Sequence, residues 1–121
     1  MTPPRKILIV DDSGVLRELL QDALSSNGYA VRGAPDGESG FAAFQDFKPD
    51  LVLLDRELPD AAGSDVFKRI RAHEPTAKVI VFTGHADADG ERKYRSLGVA
   101  GFFSKSLGLA ALLGAIKQAL S

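Results

Sequence analysis

The chain has 121 residues, 15 Lys plus Arg against 16 Asp plus Glu for a net charge of −1, 45% hydrophobic residues and no cysteine. A chain of this length buries roughly two-thirds of the surface it exposes when unfolded, so one globular core forms without staples, and disulfide or cysteine-zinc frameworks are excluded. The longest apolar runs, such as Leu51 to Leu54 and Val79 to Phe82, fall far short of the ~20 residues that cross a bilayer, and Met1 to Lys6 lacks the apolar stretch of a secretion signal.

Short β-branched apolar runs alternate with longer amphipathic stretches, the pattern of strand-helix units on a parallel sheet, and five such pairs are visible. Residues 1–5, with Pro3 and Pro4, form an expected loose tail, and residues 6–121 one domain. Lys6 to Val10 predicts the first strand. The first helix starts at about Gly14 with the apolar stripe Val15, Leu16, Leu19, Leu20, Ala23 and Leu24, and stops at Asn27-Gly28. Tyr29 to Gly33 is a weaker second strand. The second helix carries Phe41, Phe44 and Phe47 and stops at Lys48-Pro49, where proline removes an amide and constrains its predecessor. Asp50 to Leu54 is apolar from Leu51 onward, which suits a central strand covered on both faces. The third helix starts near Gly63 or Ser64, buries Val66, Phe67 and Ile70, and ends before Pro75. Lys78 to Phe82 is the fourth strand, and about Asp87 to Leu97 the fourth helix, stopped by Gly98. Gly101 to Phe103 is the fifth strand; Leu109, Leu112, Leu113, Ile116 and Leu120 mark the last helix.

In an open parallel sheet, ligands sit beyond the carboxyl ends of the strands. Asp11 and Asp12 follow the first strand, Asp55 the third, Thr83 the fourth, and Ser104 and Lys105 the fifth. If the first strand lies beside the third, these side chains converge on one shallow cleft. Clustered carboxylates repel by something on the order of 4 kcal/mol per close pair at an effective dielectric near 20, so the cluster requires a cation. A small all-oxygen ligand set favours Mg²⁺, which keeps waters and completes its shell with a phosphate oxygen. Lys105 and Thr83 add a positive charge and a hydroxyl, and phosphoryl transfer needs positioning and charge neutralisation more than covalent assistance. Asp55, ending the most buried strand, is the candidate nucleophile. Taken singly each residue has a plainer role: Asp12 or Ser13 as a helix cap, Lys105 as a solvated loop residue. Their conjunction at four strand ends carries the inference.

At these residues the chain resembles the receiver domain of two-component response regulators over nearly its whole length. The matching strings are Ile7-Leu8-Ile9-Val10-Asp11-Asp12, Leu51-Val52-Leu53-Leu54-Asp55 with Leu58-Pro59 and Gly63, Val81-Phe82-Thr83-Gly84, and Gly98 with Phe102-Phe103-Ser104-Lys105. The resemblance implies a flavodoxin-like, doubly wound α/β domain with strand order 2-1-3-4-5. It implies a phosphoryl group received on Asp55 from a phosphohistidine of a sensor histidine kinase or histidine phosphotransfer protein. It further implies that Asp12, Asp55 and the backbone carbonyl of Glu57 bind Mg²⁺ directly and Asp11 through water, that Thr83 and Lys105 hold the phosphoryl oxygens, and that Phe102 is a switch aromatic. Its rotamer would report to the surface of the fourth helix, fifth strand and fifth helix, where an output partner or a second copy docks.

The chain departs from the family in having Ser106 where proline follows the lysine. A cis bond before a non-proline residue costs ~2.5–4 kcal/mol, so Lys105-Ser106 is expected trans, with a reshaped loop. Ala62 stands where the family favours Asp or Asn, and Gly84 where alanine is common. Glu57 and His85 flank the centre as candidate tuners of phosphoaspartate lifetime. Basic clusters at Lys68, Arg69, Arg71 and at Arg92, Lys93, Arg95 are ordinarily solvated faces; the second, on the fourth helix, could dock an acidic partner or the same face of a second copy.

The expectation is a phosphorylation switch that turns over no external substrate and is therefore not an enzyme. Its expected compartment is the cytosol. Interspersed charge gives no reason to expect nucleic acid or an anionic membrane as a partner. The Met1 start favours the amino terminus of a regulator. Two alternatives stand beside it: a Mg²⁺-dependent aspartyl-phosphate phosphatase, disfavoured because the second aspartate two residues after the nucleophile is Glu57 (or Ser13 after Asp11), and a degenerate receiver that only binds. Nucleotide binding lacks both a Gly-Lys-Ser/Thr phosphate loop and a GxGxxG turn.

Overall fold

The run of apolar residues at each predicted strand forms one rung of a parallel sheet in the computed structural model, which describes residues 3–121. Residues 1 and 2 of the expected tail lie outside the described residues. The elements are β1 (Lys6–Val10), α1 (Gly14–Ser26), β2 (Ala30–Ala34), α2 (Gly37–Phe47), β3 (Leu51–Leu54), α3 (Gly63–His73), β4 (Val79–Thr83), α4 (Ala88–Leu97), β5 (Gly101–Ser104), a 3₁₀ turn at Lys105–Leu107 and α5 (Leu109–Leu120). The sheet order is β2-β1-β3-β4-β5, all neighbours parallel, as expected.

Every residue of β3 and β4 is buried, because helices cover both faces, whereas the edge strand β2 tolerates Arg32 and Gly33. Successive side chains alternate between two cores. Leu8, Val10, Val52, Leu54, Val79, Val81 and Phe102 pack with α2, α3 and α4 through Phe44, Phe67, Ile70 and Tyr94. Ile7, Ile9, Leu51, Leu53, Ile80 and Phe82 pack with α1 and α5 through Leu20, Leu24, Leu112 and Ile116.

Ser13, Asp36 and Asp87 cap α1, α2 and α4 by accepting from the amides of Leu16, Ser39 and Gly90. Arg5 donates to the Leu120 carbonyl at 2.9 Å, joining the stretch before β1 to the end of α5. Among the described residues no peptide bond is cis, so Lys105-Ser106 is trans, and the loop closes as the 3₁₀ turn before Gly108 at φ 96°. No helix among the described residues is long and apolar enough to cross a membrane.

Two expectations need correction. Val15 and Leu19 belong to the predicted stripe of the first helix but are 83% and 56% exposed, since the buried side of α1 is the narrower Leu20-Leu24 line. Leu109 is likewise 38% exposed. Strand ends also shift by one residue: Asp50 and Lys78 stay outside, Thr83 and Ser104 come inside, and β2 begins at Ala30 because the Tyr29 amide still bonds back to Leu24 of α1. Of the Phe41-Phe44-Phe47 row only Phe44 is buried; its partly buried neighbours carry cations on their rings, Arg69 over Phe41 at 4.2 Å and Arg32 over Phe47 at 4.7 Å.

Candidate functional site

The ladder between β1 and β3 continues one step past the strands, the Asp55 amide donating to the Val10 carbonyl at 2.9 Å, and this sets Asp55 beside Asp11. Ser13 takes the capping of α1, and its own amide donates to Asp11 Oδ1 at 2.8 Å. Asp12 is thereby left exposed at the rim. Carboxylate oxygens of Asp11, Asp12 and Asp55 lie within 4.8 Å of one another. Lys105, delivered by the turn after β5, places Nζ 2.7 Å from Asp11 Oδ2 and 3.1 Å from Asp55 Oδ2.

Asp11 and Asp55 are buried, and Lys105 is half-buried. Burial is the largest influence on Asp55 and pushes its carboxyl above the ordinary aspartate value; the Lys105 hydrogen bond and charge pull it back, and the Asp11 charge raises it again. Burial also works against the Lys105 ammonium, but the hydrogen bonds and charges of Asp11 and Asp55 together outweigh it and hold its pKa above the usual lysine range.

The loop after Asp55 is built to approach closely. A Cβ on Gly63 would stand 2.5 Å from the Asp55 carbonyl oxygen and 3.0 Å from Arg56 Cα, and the Gly63 amide donates to the Arg56 carbonyl at 2.7 Å. Only glycine permits that contact. Asp60 ties the same loop to α2, accepting from the amides of Gly37 at 2.7 Å and Glu38 at 2.9 Å; these bonds hold its carboxyl below the ordinary value.

Thr83 is buried at the end of β4, and its hydroxyl is engaged with His85, accepting from the His85 amide at 3.2 Å and reaching the His85 carbonyl at 3.5 Å. Glu57 is exposed, and its amide stands 3.4 Å from Asp55 Oδ1. His85 is exposed, with Nε2 3.3 Å from Asp87 Oδ2 and not directed at Asp55. Phe102 is buried, its ring 5.6 Å from that of Tyr94.

A family model for the response regulator receiver domain matches residues 7–117. The chain belongs to that family. This receiver domain is 31% identical to sporulation initiation phosphotransferase F of Bacillus subtilis over 95% of this chain and 93% of the relative. It is 41% identical to transcriptional regulatory protein CseB of Streptomyces coelicolor over 73% of this chain, but spans only 37% of that relative's length. Among solved structures it is similar to response regulator TrrA of Thermotoga maritima in complex with Mg²⁺-BeF, with a TM-score of 0.86, 32% identity, and coverage of 96% of this chain and 99% of the other.

The receiver's donor set fits a hard divalent cation: three carboxylates, all oxygen, two buried and one at the rim. The structure thus brings Asp11, Asp12, Asp55 and Lys105 together as the sequence suggested, while the Thr83 hydroxyl and the His85 ring are turned to local partners. Two residues escaped the sequence reading. Asp60 ties the acceptor loop to α2, and Arg56, directly after Asp55, crosses to the next loop, where Nη1 donates to the His85 carbonyl at 3.1 Å and pairs with Asp87 Oδ1 at 3.4 Å. Gly90, open enough to receive a guanidinium, was the available signal for Arg56.

Proposed function

We propose that residues 6–121 form a phosphoacceptor domain in which a carboxylate oxygen of Asp55 attacks the phosphorus of a phosphohistidine carried by a sensor kinase or phosphotransfer protein. The P–N bond breaks as the P–O bond forms, and the imidazole leaves. One observation carries this: a single ammonium bridges Asp11 and Asp55 inside a nest of three carboxylates. Asp12, Asp55 and the Glu57 carbonyl would hold Mg²⁺ directly and Asp11 through water, and the ion would supply charge neutralisation for the transferring oxygens.

Lys105, already against Asp55, is placed to accompany the phosphoryl group. To donate to it, the Thr83 O–H must turn from the His85 carbonyl. Phosphorylation adds about −1.5 to −2 charge. Reorientation of Thr83 opens space behind it for Phe102, coupling Asp55 to the α4-β5-α5 face where an output partner or second copy docks. Glu57 and His85 at the rim set the lifetime of the phosphoaspartate by their effect on attacking water. The exposed side chains of Val15, Leu19, Leu107 and Leu109 sit on the two segments that follow Asp12 and Lys105, and are the apolar contacts offered to a phosphohistidine donor. The domain acts in the cytoplasm, as a signalling module and not as an enzyme with an external substrate.

Incubation with acetyl phosphate and Mg²⁺ followed by intact mass tests this. The parent is expected to gain one phosphoryl group and Asp55→Asn none. An adduct retained by Asp55→Asn refutes the acceptor, and steady release of phosphate from a generic ester with turnover would favour a phosphatase.

A further inference from the structure

The β4–α4 loop that carries the Thr83 hydroxyl is tied down from outside itself. Arg56 leaves the acceptor loop and reaches across, donating from Nη1 to the His85 carbonyl at 3.1 Å and pairing with Asp87 Oδ1 at 3.4 Å. Its side chain is 22% exposed, well shielded for an arginine. The slot exists because residue 90 is glycine: a Cβ there would stand 2.6 Å from Arg56 Nη1 and 2.7 Å from Cζ. Asp87, the other end of the contact, caps α4 through the Gly90 amide at 2.6 Å and meets His85 Nε2 at 3.3 Å. The residue that Arg56 grips is also the one that holds Thr83, whose hydroxyl has His85 as its partner.

We propose that Arg56 is a positioning residue: it pins His85 and Asp87 in the arrangement in which the His85 carbonyl accepts from the Thr83 hydroxyl, and so opposes loading of the acceptor. This rests on the phosphoacceptor role of Asp55. To donate to a group on Asp55, the Thr83 O–H must turn from the His85 carbonyl, which the guanidinium also holds, while its oxygen can go on accepting from the His85 amide. A contact made in only one of two arrangements biases the equilibrium toward that arrangement. Arg56 is bonded to the arrangement in which the hydroxyl meets His85.

The test is a titration of wild type, Arg56→Ala, Arg56→Lys and Asp87→Asn with beryllium fluoride in the presence of Mg²⁺, followed by the backbone amide resonances of Thr83 and His85. Arg56→Ala is expected to half-saturate at about fivefold lower concentration than wild type, the scale of one released ion-pair contact. Arg56→Lys should fall between the two. Asp87→Asn keeps an oxygen for the α4 cap and shifts in the same direction, which preserves the test if Arg56→Ala does not fold. Added salt should narrow the gap between wild type and Arg56→Ala, a response that a merely structural arginine would not give. Equal or weaker binding by Arg56→Ala, with a normal wild-type response, overturns the role of Arg56 alone. Wild-type amides that ignore the anion overturn the acceptor assignment and this inference with it.

Discussion

Replacing Lys105 by methionine keeps the aliphatic stem and removes the charge that bridges the acidic nest. At an effective dielectric near 20, the contacts at 2.7 and 3.1 Å correspond to attractions of roughly 6 and 5 kcal/mol, against a repulsion of roughly 3.5 kcal/mol or more for each pair of carboxylates within 4.8 Å. Desolvation of the ammonium and of the buried carboxylates offsets most of the attraction, so the net loss on breaking this half-buried bridge is about 2 kcal/mol. For a domain of this length that corresponds to roughly 6–10 °C in Tm. Scanning calorimetry in Mg²⁺-free buffer should show the drop, and Mg²⁺ should raise the Tm of Lys105→Met more than that of the parent, because a divalent cation then answers three uncompensated carboxylates. The pH dependence has a definite sign. A lysine whose folded pKa is raised contributes stability that is fully present below its ordinary value and is lost as pH rises through the folded value. The gap between parent and variant should therefore hold at neutral pH and close only at strongly alkaline pH. An unchanged or higher Tm in Lys105→Met, together with an equal Mg²⁺ increment in both proteins, refutes the reasoning.

Asp55→Asn is expected to abolish phosphorylation yet raise Mg²⁺-free stability at neutral pH. Burial raises the Asp55 pKa in the fold, so stability falls as pH climbs from the ordinary aspartate value of 3.8 through the folded one, and the advantage of asparagine should vanish in acid; denaturant melts across pH check it. Gly63→Ala drives a Cβ into the backbone of Asp55 and Arg56, and should cost about 2–3 kcal/mol in a urea melt while slowing phosphorylation by acetyl phosphate; a neutral variant would show that the loop moves freely. Val15→Asp should slow transfer from a phosphohistidine protein and leave the acetyl phosphate rate unchanged, an outcome that kinetic comparison of the two donors separates from general damage. Glu57→Ala and His85→Ala should each change the phosphoaspartate half-life, measured by loss of the mass adduct; unchanged half-lives in both would remove these residues from the mechanism.

The strands and the residues that end them were legible because each rests on local chemistry, whereas the strand order, and with it the convergence of the acidic nest, came from the family resemblance. A run such as Leu51 to Leu54 suits a doubly covered strand, and the residue after it is then fixed in space by the ladder. The exposure of Val15 and Leu19 was not legible, since an apolar periodicity shows which side chains lie on one helix side but not how wide a stripe the neighbouring elements cover. Arg56 and Asp60 were hidden for a different reason. Their partners are distant in sequence, and the His85 carbonyl and the amides of Gly37 and Glu38 are backbone groups that leave no mark on residue type; Gly90 is the one trace of the Arg56 contact. The same limit applies to Thr83, whose position follows from the strand but whose hydroxyl partner depends on the loop beyond.

The two cores of the sheet have unequal parts in any signal. Tyr94, Phe102 and the segment bearing Asp87 lie toward α4, on the layer shared with α2 and α3, whereas α1 and α5 clasp the opposite layer through Leu20, Leu24, Leu112 and Ile116. A spin or fluorescent probe on the outer surface of α4 should therefore register loading of the acceptor, while the same probe midway along α1 should stay silent. On the proposed coupling, the charge at Asp55 would be felt on the α4 flank of the sheet, with α1 as the fixed frame of reference.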